Sequence, residues 1–84
     1  MSRVVTGYDY QIELGKNLRR LRLESGISQR EMERRYKISR SYLNKLEMGR
    51  HSPTIETLRL LAKIYGITPS MVFIDKDGNE IPFK

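Results

Sequence analysis

Four polar side chains able to hydrogen-bond to DNA bases are spaced for one face of a short helix. They occupy positions i, i+1, i+4 and i+5, which cluster on one side of an α-helix. These residues are Arg40, Ser41, Asn44 and Lys45. An arginine can donate two hydrogen bonds to guanine O6 and N7, and an asparagine can pair with adenine N6 and N7. Taken alone, such a face also fits an ordinary solvated helix. As the second of two short helices joined by a tight turn, it predicts a helix that enters the DNA major groove, with Asn44 contacting either a base or the backbone.

Residues next to this face are suited to phosphate contact, which positions a protein without reading sequence. Arg50, His51 and Ser52 follow the predicted helix and offer side chains and backbone N–H groups. Tyr42 lies within it and offers a hydroxyl, although packing at the edge of the core explains a tyrosine there equally well. We therefore interpret these four residues as candidate backbone contacts.

Two predicted helices precede this face. Leu14, Leu18 and Leu21 recur at helical spacing, which predicts a first helix over residues 9–24 that ends at Gly26. The second opens at Ser28, and Glu31 three residues on completes a capping box.

The predicted third and fourth helices begin at Ser39 and Thr54 and end at Gly49 and Gly66. The residues predicted to face inward from helices two, three and four are Met32, Tyr36, Leu43, Leu46, Ile55, Leu58, Leu61, Ala62 and Tyr65. A short fifth helix is predicted from a Thr68 cap to Phe73, with proline at its first position. The expected fold is all-α: one domain over 1–84, with a DNA-binding unit at 9–73.

Residues 74–84 predict a C-terminal extended arm or hairpin. Asp77-Gly78 is a dipeptide that favours a type I′ turn. The apolar residues around it exceed what a terminal helix needs. They are Met71, Val72, Phe73, Ile74, Ile81 and Phe83. Two interpretations remain open: a homodimer interface, or a hairpin that covers the chain's own core.

The net charge of +6 is unevenly distributed, because most of the excess Lys and Arg lies between residues 16 and 50. A clustered basic field attracts polyanions and speeds encounter with them. Lys16, Arg19 and Arg20 either add to this attraction or solubilise the surface. Double-stranded DNA is the partner that this distribution favours, while a solvated surface is the alternative on charge alone.

Composition argues against other classes of function. The chain has no cysteine and one histidine, so neither a disulfide framework nor a zinc site is expected. We find no nucleophile with a base, no glycine-rich phosphate loop and no metal cluster, so we expect no enzyme activity and no cofactor. Neither a membrane-spanning run nor a secretory signal is recognisable, which predicts a cytoplasmic protein.

Taken in order, these residues resemble the phage repressor and Cro type of helix-turn-helix domain, the XRE family. The similarity covers residues 13–73. Its carriers are Leu18, Leu21-Arg22, Gly26-Ile27-Ser28-Gln29, Ile38-Ser39, Ser41, Leu43, Leu46-Glu47, Gly49, Pro53, Leu58, Ala62 and Gly66-Ile67. No single one is specific, but the ordered set is.

The resemblance implies a five-helix domain that binds two DNA half-sites as a dimer, with residues 39–47 as the recognition helix. Its N-terminal residues would contact bases. Gln29 would contact a phosphate and brace that helix, although simple capping would also explain it. Arg22 and Glu47 would form a structural ion pair between helices one and three.

Two positions depart from the family pattern. Glu33 stands where a small residue is usual, and a buried glutamate costs free energy unless it is paired or turned outward. Lys37 stands where glycine is usual, and a positive φ costs a lysine about 1 kcal/mol or somewhat more. These positions predict an altered turn between helices two and three.

The function expected from the sequence is transcription regulation, most simply by a small repressor that occupies a palindromic operator. An antitoxin or adaptor is the alternative: it would bind a protein partner through its C-terminal segment and autoregulate its operon. A third interpretation is an interaction module that has lost DNA binding, which the basic face of the recognition helix disfavours.

Overall fold

A computed structural model of the chain describes the backbone of residues 7–68 and 73–81, and the side chains of residues 10–68 and 75–81. The described residues form helices α1 (Gly7–Glu24), α2 (Gln29–Tyr36), α3 (Arg40–Glu47) and α4 (Ile55–Tyr65), and strands β1 (Phe73–Ile74) and β2 (Glu80–Ile81). The two strands pair antiparallel. The fold is therefore mostly helical, with a small hairpin after the helices.

Local capping residues determine where α2, α3 and α4 begin. The Ser28, Ser39 and Thr54 hydroxyls each accept a hydrogen bond from the backbone N–H three residues further on, at 3.0–3.1 Å. The three predicted caps are confirmed, since capping depends on only a few consecutive residues. The reciprocal half of the Ser28 capping box is wrong, because the Glu31 carboxylate is directed along its own helix, 3.9 Å from Arg35.

The core lies around α3, which packs against both α1 and α2. Its fully buried side chains are Met32, Leu43, Leu46 and Leu61. Two glycines allow α1 to approach the C-terminal end of α3. A Cβ at Gly15 would collide with the backbone carbonyls that end α3, and a Cβ at Gly49 would meet the backbone of Ile12. Gly49 also has a φ of 74°, which few other residues adopt.

The ends of α1 and α4 differ from the predicted pattern. α1 begins at Gly7, ahead of the predicted Asp9, and ends at Glu24 as predicted. Ile55 is predicted to face inward from α4, but its side chain is 61% exposed. It is the first residue of the helix, so it projects beyond the core into an open groove beside Tyr10 and Ile67.

The C-terminal part also corrects two predictions. Phe73 is in β1, not at the end of a helix, and the rest of the predicted fifth helix, residues 69–72, lies outside the described residues. The type I′ turn at Asp77-Gly78 is wrong, because Gly78 has a positive φ and Asp77 does not. Instead, the Asp75 carboxylate accepts hydrogen bonds at 2.9 Å from the backbone N–H groups of Asp77 and Asn79. A side chain thus holds the longer connection that separates the strands.

Candidate nucleic-acid interface

The outward face of α3 carries the four side chains predicted to contact DNA. Arg40, Ser41, Asn44 and Lys45 are all exposed, while the opposite face of the helix is buried. Leu43 and Leu46 on that buried face hold the helix in the core. Lys45 makes no ion pair with another described residue. A helix anchored in the core by its inner face therefore presents a basic, polar face outward.

The turn between α2 and α3 keeps a left-handed residue even though that residue is a lysine. Lys37 has φ 61° and ψ 27°, and its N–H donates to the Glu33 carbonyl at 3.0 Å. Conformational strain of about 1–2 kcal/mol accompanies a non-glycine residue there. At Lys37 the predicted alteration of the turn is wrong, because the tertiary packing of two anchored helices outweighs the preference of one residue.

Glu33 is turned outward and pairs with the first residue of α3. One carboxylate oxygen accepts from the Arg40 backbone N–H at 3.2 Å, and the other lies 3.2 Å from Arg40 Nε. The glutamate therefore caps α3 and restrains the arginine at the same time. This contact was missed in the sequence, although the unusual Glu33 and a basic residue just across the turn were its signal.

A buried ion pair joins α1 to the C-terminal end of α3. Arg22 Nε and Nη2 donate to the two Glu47 carboxylate oxygens at 2.7 and 3.0 Å, and Nη1 donates to the Ile27 carbonyl at 2.9 Å. Hydrogen bonding to Glu47 raises the pKa of Arg22, although burial opposes this shift. Each of the three guanidinium nitrogens therefore donates a hydrogen bond within the fold, which favours a structural role for Arg22.

Gln29 connects this pair to the start of α2. Its amide Nε2 donates to a Glu47 oxygen at 3.2 Å, so its side chain braces α3 from the first turn of α2. The amide has a second N–H and an acceptor oxygen for further contacts. Bracing and phosphate contact are thus compatible at this residue.

Tyr65 lies beside the same pair in the core. Burial, with a smaller contribution from the Glu47 charge, raises the pKa of its hydroxyl to about 12. That hydroxyl has no hydrogen-bond partner within the described part of the chain. A buried polar atom in this state costs stability.

The loop after α3 places its three candidate residues on the surface. Arg50, His51 and Ser52 are exposed. The His51 ring meets the half-buried Tyr42 ring edge to face, with centroids 5.4 Å apart at 75°. The Ser52 hydroxyl accepts from Gln11 Nε2 at 2.6 Å, which attaches the loop to α1. Tyr42 thus packs at the edge of the core, and Gln11 is a second contact that the sequence did not reveal.

An open cleft of about 870 Å³ lies between α1 and α3. Lys16, Arg19 and Arg20 line its α1 side, opposite Gln29 and Asn44. Arg20 also forms an exposed pair with Glu24 at 3.3 Å. The cleft extends the basic surface from α3 towards α1, in a position to follow a polyanion backbone.

Three of the six candidate dimer residues fall within the described backbone. Phe73, Ile74 and Ile81 are in the hairpin, where Phe73 is the Cα partner of Ile81. The Ile81 side chain is exposed. Met71, Val72 and Phe83 lie outside the described residues, as do the side chains of Phe73 and Ile74.

Two short helices joined by a tight turn, the second anchored inside and polar outside, define the helix-turn-helix class. Comparison with known proteins supports the same class. Residues 18–72 match the profile of a family described as helix-turn-helix. The crystal structure of the DNA-binding domain of BldD aligns with a TM-score of 0.67 and 27% identity, covering 81% of this chain and 92% of that one.

Similar curated proteins include "Uncharacterized HTH-type transcriptional regulator y4dJ" of Sinorhizobium fredii, 43% identical over 83% of this chain and 88% of that protein. HTH-type transcriptional regulator DdrOP3 of Deinococcus deserti is 44% identical over 68% of this chain. HTH-type transcriptional regulator PuuR of Escherichia coli is 32% identical over 81%. The aligned parts span 44% of DdrOP3 and 37% of PuuR.

The chain belongs to the XRE-type family of helix-turn-helix DNA-binding proteins. Its function falls within transcription regulation, with double-stranded DNA as the partner of the helix-turn-helix unit. Among the described residues, no helix has both the length and the apolar character needed to cross a membrane.

Proposed function

We propose that this chain is a sequence-specific repressor that occupies a palindromic operator as a homodimer. The observation that carries the proposal is the two-sided α3. Its inner face is fixed by Leu43, Leu46 and the Glu47 ion pair, while Arg40 and Lys45 are exposed. A fixed helix with exposed donors pays little conformational entropy when it reads a base edge.

In this proposal the exposed residues have two kinds of role. Arg40, Ser41 and Lys45 contact base edges, and Asn44 contacts a base or the adjacent backbone. The residues assigned to phosphate contact are Gln29, Tyr42, Arg50, His51 and Ser52. Tyr42 contributes through its hydroxyl while its ring stays packed. Several phosphate contacts predict a steep loss of affinity as salt rises.

The homodimer part of the proposal rests on the C-terminal segment. Its apolar residues are more than one short terminal element requires, and Ile81 is exposed in β2. A two-fold dimer places two copies of α3 on half-sites about one helical turn apart, which is why the operator is expected to be palindromic. Light scattering at tens of micromolar should give the dimer mass, and a strictly monomeric mass with and without DNA would contradict it.

Selection of bound duplexes from a random DNA library tests sequence reading. The wild type should enrich a palindromic motif, and Arg40→Ala/Lys45→Ala should lose or shift it. Arg59→Ala/Lys63→Ala is the matched control, since it removes the same charge from exposed positions of α4. The control should keep the motif. If the wild type enriches no motif and the α3 variant binds DNA unchanged, the proposal is wrong, and partner capture by the C-terminal segment becomes the next hypothesis.

A further inference from the structure

Both carboxylate oxygens of Glu33 are used on Arg40. One accepts from the Arg40 backbone N–H and the other from its side-chain Nε, each at 3.2 Å. The contact links α2 to the first residue of α3 across the turn. Both side chains of this pair are exposed to solvent, so the contact can remain formed when DNA lies against α3.

Which guanidinium nitrogen Glu33 contacts is important. An arginine can donate two parallel hydrogen bonds either from Nε and one Nη group or from its two Nη groups. With Nε held by Glu33, the two terminal Nη groups remain, and they make no hydrogen bond to another described residue. Two parallel N–H donors are what guanine O6 and N7 accept in the major groove. The carboxylate therefore orients the guanidinium without using the donors that a guanine would need.

We propose that Glu33 is a positioning residue that directs the Arg40 Nη groups to the base edge of a G·C pair and so increases sequence selectivity. This rests on the proposed function, in which Arg40 reads a base. An unrestrained arginine can reach phosphates as well as bases. One whose Nε is already engaged has fewer orientations, and its preference for the matching base is accordingly stronger.

The same carboxylate places a negative charge next to the DNA surface. It should weaken binding to any duplex, because phosphates repel it irrespective of sequence. Glu33 thus has opposite effects on two measurable quantities: it lowers affinity for unrelated DNA and raises the ratio of specific to unrelated binding. A residue that only stabilised the fold would change the affinity for the operator and the affinity for unrelated DNA in the same direction.

The test compares Glu33→Gln with Glu31→Gln, which removes the same charge from the same helix. Glu31 pairs with Arg35 and does not touch Arg40. Dissociation constants are measured at one salt concentration for three duplexes: the selected operator, the operator with the Arg40-read G·C pair changed to A·T, and an unrelated sequence. Thermal unfolding checks that each variant is folded.

Glu33→Gln should bind the unrelated duplex a few-fold more tightly and lose about tenfold of the discrimination between G·C and A·T. Glu31→Gln should show the tighter binding alone. In an Arg40→Ala background, Glu33→Gln should not lower discrimination further, since the two residues act as one unit.

Unchanged or increased discrimination in folded Glu33→Gln would overturn the proposal. A switch of preference to another base pair would overturn it as well, because Glu33 would then read the base itself. Failure of the proposed function has a separate signature: the wild type would select no operator at all, or Arg40→Ala would keep full discrimination at every operator position.

Discussion

The two ends of α3 are each held by an arginine–glutamate pair, and the two pairs differ in their surroundings. At the C-terminal end, the Arg22 and Glu47 side chains are 7% and 2% exposed. At the N-terminal end, the Arg40 and Glu33 side chains are 59% and 44% exposed. The buried pair connects helices inside the core, whereas the exposed pair lies where DNA is expected. In our proposal, identical chemical groups stabilise the fold at one end of α3 and orient a DNA-contacting arginine at the other.

The two pairs differ in how much free energy of unfolding depends on them. Removing one partner of a buried pair leaves an uncompensated charge and costs about 3–5 kcal/mol, whereas an exposed pair is worth about 0–1 kcal/mol. A domain of this size has a free energy of unfolding on the order of 4–13 kcal/mol. The buried pair can therefore decide whether the chain folds, and the exposed pair cannot.

The largest effect is expected at the C-terminal end of α3, where the ion pair is buried. Glu47→Ala should lower the free energy of unfolding by about 3–5 kcal/mol, because it strands the Arg22 guanidinium and removes the acceptor of Gln29. Urea denaturation followed by circular dichroism measures the loss. Glu24→Ala is the control, since it breaks only an exposed pair with Arg20. If Glu47→Ala unfolds cooperatively near the wild-type midpoint, the buried pair does not stabilise the fold more than the exposed pair does.

A second prediction concerns the tyrosine beside the buried pair. Burial raises the pKa of Tyr65 from its ordinary value of 10.0 to about 12. The folded protein thus keeps the phenol proton at a pH where the unfolded chain loses it. This contribution is fully present below pH 10 and is lost as the pH rises to about 12, on the order of 2 kcal/mol.

Tyr65→Phe isolates that contribution, because phenylalanine has no proton to lose. Its stability advantage over the wild type should grow by on the order of 2 kcal/mol between about pH 9 and pH 12. At pH 7 the variant should equal the wild type or exceed it by about 1 kcal/mol, since the buried hydroxyl has no partner in the described residues. A constant difference across the alkaline range would show that the hydroxyl ionises equally in both states.

The exposed end should give a small, salt-sensitive effect on stability. Arg40→Ala is expected to lower the free energy of unfolding by less than about 1 kcal/mol, because its pair with Glu33 is solvated. In about 1 M salt this difference should nearly vanish, while the effect of Glu47→Ala should persist. Denaturation at two salt concentrations checks both variants. A loss above about 2 kcal/mol for Arg40→Ala would mean that the exposed pair contributes to stability in the same way as the buried pair.

The smallest effect lies in the turn between the helices. Lys37→Gly removes the strain of a left-handed lysine but adds freedom to the unfolded chain, so it should stabilise by only about 0.5 kcal/mol. Lys37→Ala keeps the strained conformation and should not stabilise the protein. Differential scanning calorimetry on the two variants decides, and a clear destabilisation by glycine would mean that the lysine side chain itself supports the turn.

The parts of the fold that depend on neighbouring residues were predictable. Ser28, Ser39 and Thr54 were identified as caps because each acts on the next turn of its own helix. Buried positions of α3 followed from helical spacing. Ile55 shows the limit of that reasoning: it has the right spacing but is at a helix end, where only the tertiary arrangement determines burial.

Long-range contacts were less accessible from the sequence. Glu33 was recognised as unusual, but its bond to Arg40 depends on the path of the turn. The Gln11–Ser52 contact joins residues far apart in sequence and had no local signal. In the hairpin, the Asp75 carboxylate accepts from two backbone N–H groups of the connection, a contact for which the Asp77-Gly78 dipeptide gave no signal. The roles of the DNA-facing residues stay predictions.

A crystal structure of the chain bound to its selected duplex would show whether α3 enters the major groove and whether Arg40 reads a base there. We expect the Arg40 Nη groups at about 2.7–3.2 Å from guanine O6 and N7, with Glu33 still at Nε and the Arg22–Glu47 pair intact. A complex in which Arg40 contacts only phosphates, or in which α3 lies outside the major groove, would contradict it.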